Sequence, residues 1–86
     1  MEEKSKIKFY GTRWCPDCSR AKRVLDKLGY KYESFDIDKD RKARKYIQDV
    51  NNGNRSVPTI IFPDGSKLVE PSNQELTEKL EKLFNS

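Results

Sequence analysis

The sequence contains no histidine, and only two cysteines, one methionine and one tryptophan among its 86 residues. Without histidine, no side chain can act as the usual base for a serine or cysteine nucleophile. A zinc site asks for about four ligands, and two cysteines supply them only across a dimer or with carboxylates. Long hydrophobic runs are also missing. Nothing approaches the roughly 20 apolar residues of a membrane-spanning helix, and Met1-Glu2-Glu3-Lys4 has no apolar secretion-signal core. Neither a membrane nor an oxidising compartment is therefore expected. In the cytoplasm a lone cysteine pair is more often catalytic or metal-binding than structural. There is no internal repeat, linker or low-complexity segment, and the length suits one domain, residues 1–86, around one modest core.

What is present is charge and periodicity. Charged residues make up 37% of the chain and hydrophobic ones 34%, but the apolar residues fall into regular segments, which argues for a folded chain. The net charge of +4 reads as a solvated surface, since most Lys and Arg fall on helical segments beside Asp and Glu. No aromatic-interleaved basic stripe marks nucleic acid as a partner.

The pattern gives seven elements. A strand is expected at about Ile7 to Tyr10, with Lys6 leading into it, and a helix from Pro16 to Leu28. On that helix Cys18, Ala21, Val24, Leu25 and Leu28 recur at helical spacing, and Gly29 ends it. A second strand covers about Lys31 to Phe35. A second helix, Lys39 to Val50, keeps Ala43, Tyr46, Ile47 and Val50 on one side and stops at Asn51-Asn52-Gly53-Asn54. The β-branched run Val57-Pro58-Thr59-Ile60-Ile61-Phe62, the turn Pro63-Asp64-Gly65-Ser66 and Lys67-Leu68-Val69-Glu70 form a hairpin. Ser72-Asn73-Gln74-Glu75 matches a capping box, opening a last helix whose inward face is Leu76, Leu80, Leu83 and Phe84. The order β-α-β-α-β-β-α, with right-handed crossovers, puts the first two strands parallel and the hairpin antiparallel at one edge. Helices then cover both faces of a four-stranded mixed sheet. That is the minimal thioredoxin fold, an α/β class.

The two cysteines, Cys15 and Cys18, lie where the first strand hands over to the first helix. A Cys-x-x-Cys in that setting reads as a redox pair. Cys15 falls at the helix N-cap with Pro16 at the first helical position, where orphan N–H groups and the helix dipole favour a thiolate. Arg13 and Arg20 add to that effect and Asp17 opposes it. Cys15, expected to be exposed, is the candidate nucleophile. Cys18, one turn in on the apolar face, is the candidate resolving thiol, because residues i and i+3 are helix neighbours. The competing readings are a shared zinc site, a structural disulfide over a loop too short to stabilise much, and an inert pair that ill suits the Trp14 and Pro16 flanks.

Trp14-Cys15-Pro16-Asp17-Cys18 followed by Ser56-Val57-Pro58-Thr59 resembles the glutaredoxin family of the thioredoxin superfamily, over about Ile7 to Leu83. The tail from Phe62-Pro63-Asp64-Gly65 to Pro71-Ser72 is similar to its mycoredoxin-type branch. The resemblance implies reduction of protein disulfides or small-thiol mixed disulfides, with no tightly bound cofactor and no metal. Electrons would come from a low-molecular-weight thiol, glutathione or an analogue. It implies a cis bond at Pro58, with Val57 offering its backbone to substrate like an added strand. Arg13 and Trp14 would contact substrate, and the Asn73 and Gln74 N–H groups would receive a carboxylate of the small thiol. Thr12 stands where the family usually has a Lys, Pro71-Ser72 replaces its Gly-Gly, and Gln74-Glu75 its acidic pair. The partners implied are disulfide-containing client proteins and a small thiol, and a monomer is expected. Two alternatives stay open: a thioredoxin-like electron donor recharged by a flavoprotein reductase, and an iron–sulfur cluster carrier.

Overall fold

The structure is a computed structural model that describes residues 7–84; Lys6 and the polar opening of the chain lie outside them. Its elements are β1 (Ile7–Gly11), α1 (Pro16–Lys27), β2 (Tyr32–Asp36), α2 (Arg41–Val50), β3 (Thr59–Ile61), β4 (Lys67–Val69) and α3 (Asn73–Phe84). The sheet order is β2-β1-β3-β4. β1 and β2 run parallel, and β3 is antiparallel to both β1 and β4. The hairpin therefore continues the sheet beyond β1, as the element order requires, with β1 and β3 central.

Alternation along β1 divides the core between the two faces. Ile7 and Phe9 meet Cys18, Ala21 and Leu25 of α1 and Leu76 and Leu80 of α3, while Tyr10 turns to Ile37 and to Ala43 and Ile47 of α2. A one-residue slip of β1 would exchange these two sets, so its register is fixed by burial on both sides. Tyr10 also stacks on Phe35 at 4.8 Å and lies 5.4 Å from Tyr46. Among the described residues, no helix is long and apolar enough to cross a membrane.

Several boundaries differ from the sequence reading, each for a local reason. β3 is shorter than Val57–Phe62, because Pro58 has no N–H for a ladder and Phe62 already belongs to the turn, its N–H donating to Ser66 O. α2 begins at Arg41, since Asp40 caps it by accepting from Ala43 N at 3.0 Å. Leu28, expected on the buried stripe, sits at the C-cap of α1 and is 46% exposed, the chain turning away at Gly29 with φ +83°. The capping box of α3 forms as written: Glu75 N donates to Ser72 Oγ and Ser72 N to Glu75 Oε1.

Candidate functional site

The site lies where three chain segments end together: the β1–α1 turn, the first turn of α1, and the loop leading into β3. Cys15 is the N-cap of α1, in extended conformation, with Pro16 following. Its Sγ accepts from Cys18 N at 3.3 Å, the role that Ser, Thr or Asp oxygen plays at other helix starts. The sulfur thus faces the positive end of the helix dipole. On its other side Val57 O lies 4.0 Å away, and the Val57–Pro58 peptide bond is cis.

The loop that brings Val57 here is pinned from behind. Asn51, buried at the C-cap of α2, donates to Thr59 Oγ1 at 3.1 Å, and Thr59 Oγ1 donates to Ser56 O at 2.7 Å. Lys67 of β4 reaches Asn51 Oδ1 at 2.8 Å and also bonds Val50 O. The Asn51 amide and the Thr59 hydroxyl are both hydrogen-bonded, so this network holds the loop without an orphan of its own. Asn51 read in the sequence only as a helix stop; that its amide steadies the loop beside Cys15 had no signal there.

Two expectations about the cysteines' surroundings are corrected. Cys15 was expected to be exposed but is only 7% exposed, because Val57 packs against the cluster that holds it. Arg20 does not face the thiol. It bonds Asp17 Oδ1 at 3.0 Å and Pro71 O at 3.1 Å, tying α1 to the loop before α3. Asp17 and Arg20 are therefore engaged with each other in one ion pair, and what the Cys15 sulfur faces is the N-terminus of α1.

Cys18 is 1% exposed. Burial pushes its thiol up to about 12, reinforced by its hydrogen bond with Cys15, while the Thr12 backbone and the Lys22 charge pull the other way. Two consequences are testable. First, one equivalent of a thiol alkylator near neutral pH should modify Cys15 alone in the reduced protein; equal labelling of Cys18 by mass spectrometry would contradict this. Second, unfolded Cys18 ionises from its ordinary value of 9.0, whereas the folded thiol keeps its proton to about 12. Above pH 9 the unfolded chain sheds a proton that the folded chain retains, so reduced-state stability falls as pH rises through that window. Tyr10 and Tyr32 are raised in the same direction by burial. Comparison with Cys18→Ala therefore isolates the cysteine's share, and the variant should lose stability less steeply above pH 9.

Gly11, at the end of β1, was not singled out in the sequence. A Cβ placed there would lie 2.7 Å from Cys18 Sγ and 3.0 Å from Phe9 Cε1. The close approach of backbone to sulfur needs glycine. Gly11→Ala should destabilise by about 1–3 kcal/mol through overpacking, measured by chemical denaturation. An unchanged midpoint would mean that Cys18 and Phe9 relax freely.

The remaining candidates are more scattered. Arg13 and Trp14 are exposed beside Cys15, and the Trp14 Nε1–H donates to Asp38 Oδ2 at 2.8 Å. Asn73 and Gln74 line an open cleft of about 560 Å³ at the start of α3 with Arg20, Glu70, Ser72 and Glu75. Arg20 borders that cleft, but neither cysteine does. The capping box occupies the Ser72 and Glu75 amides, while those of Asn73 and Gln74 have no intrahelical acceptor. Among the described residues, no three His, Cys, Asp or Glu side chains gather as a metal site.

Comparison with known proteins agrees with this arrangement. The family model described as Glutaredoxin matches residues 7–67. A Mycobacterium tuberculosis protein that carries the glutaredoxin name is 42% identical over 77 residues, covering 90% of this chain and 92% of that one. Mycoredoxin 1 of Corynebacterium glutamicum is 38% identical over 79 residues, 92% of this chain and 98% of its own. Among solved structures, a glutaredoxin from Archaeoglobus fulgidus superposes with a TM-score of 0.69 at 28% identity, covering 95% of this chain and 88% of that one. Methanoredoxin of Methanosarcina acetivorans does so with a TM-score of 0.72 at 28% identity, covering 90% and 85%. A match that runs from the first residue of β1 into β4, with relatives of similar length at about 40% identity, makes this chain a member of the glutaredoxin family, whose members are thiol–disulfide oxidoreductases.

Proposed function

We propose that Cys15 is the nucleophile and Cys18 the resolving thiol of a dithiol reductase acting on protein disulfides and small-thiol mixed disulfides. The observation that carries this reading is the pairing at the α1 N-terminus: one sulfur capped by a backbone N–H, the other buried and held neutral one turn behind it. Cys15, as thiolate, attacks one sulfur of the client disulfide, and the departing client sulfur takes up a proton. Cys18 then gives up its proton and attacks Cys15 Sγ, releasing the second client thiol and leaving a Cys15–Cys18 disulfide. Two external thiols return the pair to the reduced state and leave as their own disulfide.

The Val57 backbone beside Cys15 supports docking of an extended client segment alongside it. In this reading Pro58 fixes that edge, Arg13 and Trp14 meet the client or the small thiol, and Asn73 and Gln74 receive the small thiol's carboxylate. The reductant is glutathione or an analogue; the chain works as a cytoplasmic monomer of one domain, in redox homeostasis and electron transfer to client proteins. The experiment is direct. Oxidised protein is incubated in parallel with glutathione, with mycothiol, and with a thioredoxin reductase plus its nicotinamide donor, and free thiols are counted. Recovery with a small thiol is expected; recovery only with the flavoprotein would replace this reading with the thioredoxin-like donor.

A further inference from the structure

Among the described residues Trp14 is the most exposed of the large hydrophobic side chains, at 71%, yet its indole is not loose. Its N–H is held at 2.8 Å by Asp38, a residue 24 positions away on the β2–α2 connection. That connection is a fixed post. Asp38 N donates to Asp36 Oδ1 at 2.9 Å, and Lys39 N and Asp40 N both donate to Asp36 O. Ile37 is 2% exposed, its N–H donates to Gly11 O, and its carbonyl accepts from Arg44 Nη1. The polar edge of the indole is thus tied down while its apolar faces stay in water. A side chain so arranged gains nothing from its own fold's core, but it is pre-organised for an apolar contact with something else.

The place of that contact follows from chain order. Trp14 precedes Cys15 directly, and Val57 O lies 4.0 Å from the Cys15 sulfur. A peptide disulfide carries flanking residues that extend to the exposed indole of the residue next to Cys15, and a small disulfide has none.

We propose that Asp38 is a positioning residue which, by holding the Trp14 indole as one wall of the approach to Cys15, favours peptide disulfides over small ones. This rests on the reading that Cys15 attacks the incoming disulfide. Asp38 touches no reacting atom and acts only through Trp14.

The test compares a disulfide-closed peptide with bis(2-hydroxyethyl) disulfide as substrates. Asp38→Ala should raise KM for the peptide roughly three- to tenfold, the size of one lost aromatic contact. Its kcat, and kcat/KM for the small disulfide, should stay within about twofold of wild type. Asp38→Asn keeps an oxygen acceptor and should restore the peptide KM. Trp14 is the sole tryptophan, so its fluorescence anisotropy reports the ring alone. It should fall in Asp38→Ala and recover in Asp38→Asn. In a Trp14→Phe background, Asp38→Ala should add no further rise in peptide KM, since the coupling runs through the missing N–H. An unchanged peptide KM in Asp38→Ala, an equal loss on both substrates, or failure of Asp38→Asn to rescue would each overturn the proposal while wild-type exchange stands. A wild-type protein inert towards both substrates would overturn the exchange reading itself, and this proposal with it.

Discussion

Cys15→Ser is expected to leave a folded protein that reduces no disulfide above the uncatalysed rate. The loss is complete because no other group can substitute. Cys18 is buried, and its thiol is held neutral to about 12. A serine hydroxyl at neutral pH is far too poorly ionised to attack a disulfide sulfur. Folding should survive for a specific reason. Position 15 is an N-cap whose side chain accepts from Cys18 N, and serine is among the residues best suited to that task. Thermal unfolding of reduced Cys15→Ser should therefore match or slightly exceed that of reduced wild type. The assay is disappearance of a disulfide-closed peptide, followed by chromatography with a small thiol as reductant. Retention of a substantial part of wild-type activity would move the nucleophile elsewhere.

The order of elements was legible because burial periodicity and breaker residues carry it. Ile7 and Phe9 alternate with Tyr10 along β1, and Gly29 and Asn51 stand at the C-terminal ends of the first two helices. Ends were less legible where a single cap decides. Asp40 delayed the start of α2, and Leu28 satisfied the helical period but fell at the last turn, where the chain leaves the core. A periodic pattern says which face is apolar, not where packing against the sheet stops.

At the site, the local parts could be read and the long-range ones could not. A Cys-x-x-Cys ahead of a helix implies an N-capping sulfur and a buried second thiol, because three residues along a helix fix both positions. Arg20 could not be assigned from spacing. Its guanidinium chooses between a nearby thiol, Asp17 and a carbonyl 51 residues away, and only the docking of α3 beside α1 brings Pro71 O within reach. Asn51–Thr59 and Trp14–Asp38 are of the same kind, each joining segments that the sheet topology brings together. Gly11 had a fainter signal, a glycine ending the strand just before the cysteine pair, and its reason appears only when Cys18 Sγ is seen against the backbone.

Cys18→Ser should convert the protein from a two-cysteine reductase into one that holds its client covalently. In the wild type, the Cys15–client bond is short-lived because Cys18 lies one helical turn away and hydrogen-bonds with Cys15. Attack within the chain then competes at a high effective concentration against any external thiol. Serine fits the space beside Gly11, since oxygen is smaller than sulfur, but it cannot displace the client thiol. With a protein disulfide and no small thiol, the variant should accumulate a one-to-one adduct through Cys15, visible by non-reducing electrophoresis and intact mass, and released by dithiothreitol. Added small thiol should resolve that adduct, so turnover of small-thiol mixed disulfides persists while single-turnover reduction of protein disulfides without added thiol is lost. The wild type under the same conditions should show the internal Cys15–Cys18 disulfide and free client. If Cys18→Ser, with no thiol added, forms no adduct while still reducing the client, the second cysteine is not the resolving thiol, and release must instead be carried out by the Cys15 thiol of a second molecule, leaving a disulfide between the two copies.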